Sequence, residues 1–251
     1  MTNLVQAISA IRDSVVAVLR VHMSKPAKQQ KGKIRPPQFQ ISLVGTAWCI
    51  VDDKYMVTAH HIFNNGKPRM RSDKFYVFTV PQNGTKAFHF PVTNYIHEDA
   101  NSDIAIIEIG PSPVPDARIK SCPITFKPQI DGAKVLTYGF PAPKIESANV
   151  DQDGNWQGGN FFLKAHANEG IVSASYDLDG LVFYELNVGW HHGESGGPIF
   201  TLEAELPAVF SIMQHYRNIQ APHGIIPGPH RGRSLSAIEK KLTELGATIS
   251  D

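Results

Sequence analysis

The sequence predicts an all-β protein of sandwich or barrel architecture, which two packed antiparallel β-barrels with an N-terminal and a C-terminal helix fit. Three observations predict it. Short β-branched and aromatic runs recur from Ile41 to Ile226, divided by turn sequences such as Asp52-Asp53, Asn64-Asn65-Gly66, Asn83-Gly84, Asp131-Gly132 and Asp179-Gly180. Helical spacing is confined to the two ends. A proline-rich break, Pro111-Ser112-Pro113-Val114-Pro115, splits the runs into two groups, expected to be residues 1–115 and 116–251 of one unit.

Taken in order, Leu4-Val5-Ala7-Ile8-Ile11 has apolar residues at helical spacing, and Val15-Val16-Ala17-Val18-Leu19 reads as the first strand. Residues 25 to 38 carry Lys25, Lys28, Lys31, Lys33 and Arg35 with no acid, and the prolines make this stretch a solvated loop. Strands are then expected at Ile41–Val44, Ala47–Val51, Tyr55–Thr58, Phe75–Val80, Ala87–Val92 and Ile104–Ile109. A second set follows at Val135–Tyr138, Phe161–Ala165, Gly170–Ser175, Val182–Leu186, Pro198–Phe200, Ala208–Met213 and Gly224–Ile226. Between Pro141 and Asn160 the Gly/Asn/Asp content predicts a loop. Ser234 to Gly246 reads as a capped amphipathic helix.

Composition narrows the function. Among 251 residues, 24 Lys and Arg balance 23 Asp and Glu, so no global charge argues for nucleic acid or an anionic membrane. No apolar run approaches the ~18 residues of a spanning helix. The first residues lack the pattern of a secretory signal. The two cysteines, Cys49 and Cys122, are expected to be reduced thiols in a cytoplasmic protein. Eleven histidines include His60-His61 and His191-His192, but no Cys/His spacing resembles a zinc site, and neither metal nor organic cofactor is expected.

The segment that carries chemistry is Gly193-Glu194-Ser195-Gly196-Gly197-Pro198. A nucleophilic serine needs an exposed hydroxyl on a sharp turn, and flanking glycines permit that turn. The main-chain amides of Gly193 and Ser195 are then candidate oxyanion donors. A serine hydroxyl needs an adjacent base, and Thr58-Ala59-His60-His61 offers two. Adjacent side chains on a strand face opposite sides, so both cannot serve. An imidazole base needs an anion to fix its tautomer. Asp103, at the mouth of the apolar run Ile104-Ala105-Ile106-Ile107, is the candidate, since an acid entering a core demands a partner.

With these motifs in view, the sequence resembles the trypsin-like (chymotrypsin-fold) serine proteases, closest to the HtrA/DegP-type protease domain. Gly45-Thr46-Ala47-Trp48-Cys49-Ile50-Val51 is similar to that group's G-S-G-F-I-V, and Val57-Thr58-Ala59-His60-His61 to V-T-N-A-H-V. Ser102-Asp103-Ile104-Ala105 resembles x-D-L-A, Gly170-Ile171-Val172-Ser173 resembles G-I-V-S, and Gly224-Ile225-Ile226-Pro227 resembles G-F-A-I-P before the closing helix. The resemblance implies a triad of His61 as base, Asp103 as orienting acid and Ser195 as nucleophile, hydrolysing a protein or peptide substrate through an acyl-enzyme. It also implies a specificity pocket walled by Gly189 and Trp190 on one side and Ser211, Ile212 and Met213 on the other. Neither wall carries an acid, so an apolar or small residue is expected before the scissile bond. The chain departs from the pattern at His60, where alanine is usual, and at Glu194, where asparagine or aspartate is usual. The group's peptide-binding PDZ module is not expected after the closing helix. A regulatory protein partner or a ligand is expected to order the loops around Gly193. The competing reading is a silent or latent module of the same fold that acts by binding a protein partner.

Overall fold

The computed structural model of the chain describes residues 4–30, 33–64, 69–80, 86–141, 144–189, 191–203, 207–221 and 224–250. Helix α1 (Leu4–Ile11) buries Ala7 and Ile11 and passes through one 3₁₀ turn into β1 (Val15–Lys25). Strands β2 (Lys28–Gln30) and β3 (Lys33–Arg35) make a small separate hairpin, and β4 (Gln38–Val51) returns beside β1. Next come β5 (Tyr55–Ala59), the single helical turn α2 (His61–Asn64), β6 (Lys74–Thr79), β7 (Phe88–Asp99) and β8 (Ile104–Ile109). These close a six-stranded antiparallel barrel in the order β1-β4-β5-β8-β7-β6.

The second half contributes β9 (Lys134–Gly139), β10 (Lys144–Val150), β11 (Trp156–Phe162), β12 (His166–Leu178) and β13 (Leu181–Leu186). It ends with β14 (Pro198–Thr201), β15 (Ala208–Ala221), β16 (Gly224–Ser234) and the closing α3 (Glu239–Glu244). A second closed barrel runs β12-β13-β16-β15-β14-β9, with β10 and β11 paired outside it. All ladders in both barrels are antiparallel, as the sequence predicts.

The largest core is shared between the barrels. Trp48, Ile50 and Ile106 from the first meet Leu136, Phe200 and Ile212 from the second, and Leu235, Ile238 and Leu242 close it from the C-terminal end. Ser234 caps that end, its hydroxyl accepting from the Ser236 N–H at 3.2 Å, and Gly246 with φ +83° follows the last turn. No helix among the described residues is long and apolar enough to cross a membrane. Cys49 and Cys122 are both free and buried.

Two stretches read as loops are strands. Pairing of β1 with β4 continues to Lys25 opposite Gln38, so most of the basic stretch is a hairpin arm rather than a solvated connector. The Gly/Asn-rich region likewise contains the β10–β11 hairpin, with Asp151 tying the turn through Asp153 and Asn155 N–H groups. In both, the strands lie on the outside of a barrel, and their sequence lacks the apolar alternation that marks a half-buried strand.

Candidate active site

Asp103 ends the turn before β8 with φ +55°, a left-handed conformation unusual for a residue other than glycine. That conformation turns the carboxylate back toward the start of α2. Its Oδ1 accepts from the His61 backbone N–H at 2.9 Å, and its Oδ2 lies 2.8 Å from His61 Nδ1. An ionised carboxylate only accepts, so the proton belongs on Nδ1 and the Nε2 lone pair is left for another donor. His60 turns elsewhere, its Nε2 bonded to the Asn64 side-chain amide at 2.7 Å. Of the two histidines, His61 is the one that meets an acid.

Ser195 occupies a turn fastened from both sides. Gly196 N–H donates to the Met213 carbonyl (2.7 Å) and Met213 N–H to the Gly197 carbonyl (2.8 Å), pinning the turn to β15. Thr46 pins it to the first barrel: its N–H donates to the Ser195 carbonyl at 2.8 Å and its hydroxyl to the Gly193 carbonyl at 2.7 Å. A β-carbon at Gly196, φ +81°, would run into Thr58 Oγ1 and the Thr46 carbonyl, so only glycine fits.

Before the serine, the Glu194 N–H donates to the His191 carbonyl at 3.2 Å and Gly193 has φ +103°. Positive φ at the third position of a four-residue turn is the type II pattern. Among the described residues, neither the Gly193 nor the Ser195 N–H donates to a protein acceptor. Both are therefore free to meet an oxyanion. Glu194 is wholly buried beneath this turn, accepting from the His191 N–H at 2.7 Å and the Asn168 amide at 3.4 Å. Burial pushes its carboxyl up to about 7, against the opposing pull of those two bonds.

His61, Gly193 and Ser195 line one cleft of about 780 Å³, together with Arg20, His22, Leu43 and Ile62. The Ser195 hydroxyl donates to the Gln214 carbonyl at 3.1 Å, not to His61. Within the same cleft Arg20 and His22 are bound to the buried Asp73 at 2.6 and 2.7 Å. Burial opposes the Asp73 charge, but bonds from His22, Arg20 and the Met70 N–H outweigh it and hold the carboxyl below its ordinary range.

The expected specificity walls come together only in part. Met213 lies under the serine turn, its Cε against Gly197, and the Ser211 hydroxyl donates to the Arg233 carbonyl at 2.9 Å. Ile212 is a correction. It sits between these two on the strand, faces the opposite side and packs in the shared core. Gly189 is exposed, a β-carbon there would meet the Asn168 side-chain oxygen at 3.8 Å, and Trp190 lies outside the described residues. A second correction concerns Gly224–Pro227, which pairs with Asn218–Ala221 far along the β15–β16 hairpin. The residues entering the closing helix are Gly232–Ser234.

Sequence reasoning missed three supports. Gln214 Nε2 donates to the Ser102 carbonyl at 2.5 Å, and Arg233 donates from Nε to the same carbonyl (3.2 Å) and from Nη2 to that of Asn101 (3.3 Å). Together with Thr46 they bind the Asp103 and Ser195 turns across the barrel boundary. Among the described residues, no three His, Cys, Asp or Glu side chains converge as a metal site would require.

Comparison with known proteins agrees with this architecture. Solved structures similar in fold include the HtrA-type protease AlgW with a decapeptide (TM-score 0.62, 13% identity, 97% of this chain and 67% of that one). Deg5 matches with TM-score 0.59 at 12% identity over 94% of this chain and 90% of its own. A thermostable serine protease, AL20, from an extremophilic microorganism matches with TM-score 0.53 at 14% identity over 93% and 97%. No curated protein sequence matches the chain. The family model for the trypsin-like peptidase domain matches residues 45–209, about two thirds of the sequence, and the chain belongs to that family.

Proposed function

We propose that the chain is a serine endopeptidase that cleaves polypeptides through an acyl-enzyme on Ser195, with His61 as general base and Asp103 as its orienting acid. The observation that carries this reading is the Asp103–His61 pair at 2.8 Å, whose His61 lines the cleft that also holds Ser195. Asp103 holds the Nδ1–H tautomer, so Nε2 is the basic nitrogen. For attack, the Ser195 side chain has to turn from the Gln214 carbonyl and donate its hydroxyl to that nitrogen instead. The step exchanges one neutral hydrogen bond, worth about 1 kcal/mol net, for another. His61 then takes the proton as Oγ attacks the scissile carbonyl and returns it to the leaving amine. The free Gly193 and Ser195 N–H groups are where the oxyanion would rest. With Met213 beneath the serine turn and no acid at Gly189 or Ser211, an apolar or small residue suits the position before the scissile bond. The two free thiols agree with a reducing, cytoplasmic setting.

Fluorophosphonate labelling of the purified chain tests the assignment. Labelling is expected at Ser195, abolished in Ser195→Ala and His61→Ala and retained in His60→Ala. A chain that neither labels nor cleaves peptides at any pH between 5 and 9, while folded, would overturn it.

A further inference from the structure

A second cavity, of about 520 Å³, opens on the Gln214 side of His61. It is lined by His61, Asn101, Asp103, Phe183, Gln214 and the guanidinium groups of Arg231 and Arg233. Arg233 is 4% exposed, with its Cζ 3.5 Å from the centroid of the Phe183 ring. Its only hydrogen-bond acceptors among the described residues are the Ser102 and Asn101 carbonyls, and no carboxylate lies within 4 Å. Arg233 Nη1 and Arg231 Nε are buried without a hydrogen-bond partner.

The nearby acids are already engaged. Asp103 is held by His61, Asp99 takes the Ser102 hydroxyl and N–H, and Glu185 accepts from Tyr176 at 2.7 Å and Arg231 at 3.3 Å. Burial lowers the Arg233 pKa, while the Asp103 and Asp99 charges oppose that shift without contact. The guanidinium remains charged throughout the physiological range. A buried cation lacking a contacting anion is costly. The other cleft differs in having a contacting carboxylate, since Asp73 lies 2.6 Å from Arg20 and 2.7 Å from His22, although Arg20 Nε is also buried without a hydrogen-bond partner.

We propose that this cavity is a substrate subsite, taking an aspartate or glutamate side chain of the polypeptide close to the scissile bond. Arg231 and Arg233 supply the charge, and Phe183 supplies an apolar wall for the side-chain methylenes. The subsite rests on the endopeptidase reading, because His61 lines it and so fixes its occupant beside the reacting bond.

The test uses fluorogenic heptapeptides with an apolar residue before the scissile bond and Glu, Gln or Lys at each of three positions on either side. At one position kcat/KM is expected to favour Glu over Gln by about tenfold or more, with Lys worst and the preference shrinking as salt rises. Arg231→Gln, which leaves the buried Arg233 untouched, should cut the Glu/Gln ratio severalfold, and Arg233→Gln should bring it near one. A purely structural role would lower cleavage of all peptides alike and leave the ratio intact. Equal rates for Glu and Gln everywhere, or a ratio indifferent to Arg231→Gln, would overturn the subsite. If the chain cleaves nothing, anisotropy of fluorescein-labelled Glu and Gln peptides on the Ser195→Ala chain decides instead. Tighter binding of Glu, erased by Arg231→Gln, keeps the subsite while the endopeptidase reading falls; equal binding removes both.

Discussion

Glu194 precedes the candidate nucleophile in a fully buried site, and among the described residues no cation lies within ion-pair distance of it. Its carboxyl is raised to about 7, from 4.5 when exposed. Between those values the folded chain binds a proton that the unfolded chain has released. Stability from this group is therefore fully present below pH 4.5, declines as pH rises and is lost above 7. The cost at pH 8 is about 3 kcal/mol, from the size of the shift. Glu194→Gln keeps an acceptor for the His191 N–H and removes the charge. Urea unfolding should find the variant more stable than wild type by about that amount at pH 8, and nearly equal at pH 4.5. A difference independent of pH would refute the ionisation argument. Glu194 was visible in the sequence as a departure from the family pattern, yet its burial was not. Arg233 and Gln214 were harder still, because their contacts with Ser102 cross 131 and 112 positions of sequence. An acid at the mouth of an apolar strand can be recognised locally. The side chains that grip its backbone from another barrel cannot.

At the scale of elements, apolar runs such as β8 and β9 were legible because both faces of each are largely buried. The β10–β11 hairpin was not, since one exposed side and glycines at 158 and 159 dilute its pattern. Its anchor is Trp156, which is edge-on to Phe78 at 5.4 Å and donates its backbone N–H to the Tyr76 hydroxyl at 3.0 Å. Phe161 completes a triangle of rings, 5.1 Å from Phe78 and 6.1 Å from Trp156. This cluster, with Leu19 and Val21, sits on the outside of the first barrel, apart from the shared core. Removing the indole should cost about 3 kcal/mol through lost burial and the cavity left behind. For a chain of this size that lowers Tm by roughly 6–12 °C. Trp156→Ala should therefore melt early and still label with fluorophosphonate at wild-type rate at 20 °C. An unchanged Tm would mean that the hairpin contributes nothing to the barrel it covers.

At the scale of the molecule, the two barrels meet where the proposed chemistry takes place, and Thr46 is the fastener between them. It is fully buried, and its hydroxyl both donates to the Gly193 carbonyl at 2.7 Å and accepts from the Phe140 N–H at 3.1 Å. Its own carbonyl accepts from the Thr58 hydroxyl at 2.6 Å, which extends the chain of bonds into β5 and so toward His61. The shared core alone would let the barrels slide, because apolar contact is not directional. Hydrogen bonds that cross the seam set the registry of the Gly193 carbonyl, and with it the direction of the adjoining N–H groups. Thr46→Val preserves volume but strands the Phe140 N–H and frees the Gly193 carbonyl, at a cost of about 1–3 kcal/mol. The larger expected effect is on reactivity: labelling of Ser195 should slow about tenfold or more, in line with the loss of one oriented oxyanion donor. Thr46→Ser, which keeps the hydroxyl and gives up only a methyl group, should recover most of the rate. If Thr46→Val stays folded and labels as fast as wild type, the serine turn holds its shape without the first barrel, and the seam has only a structural role.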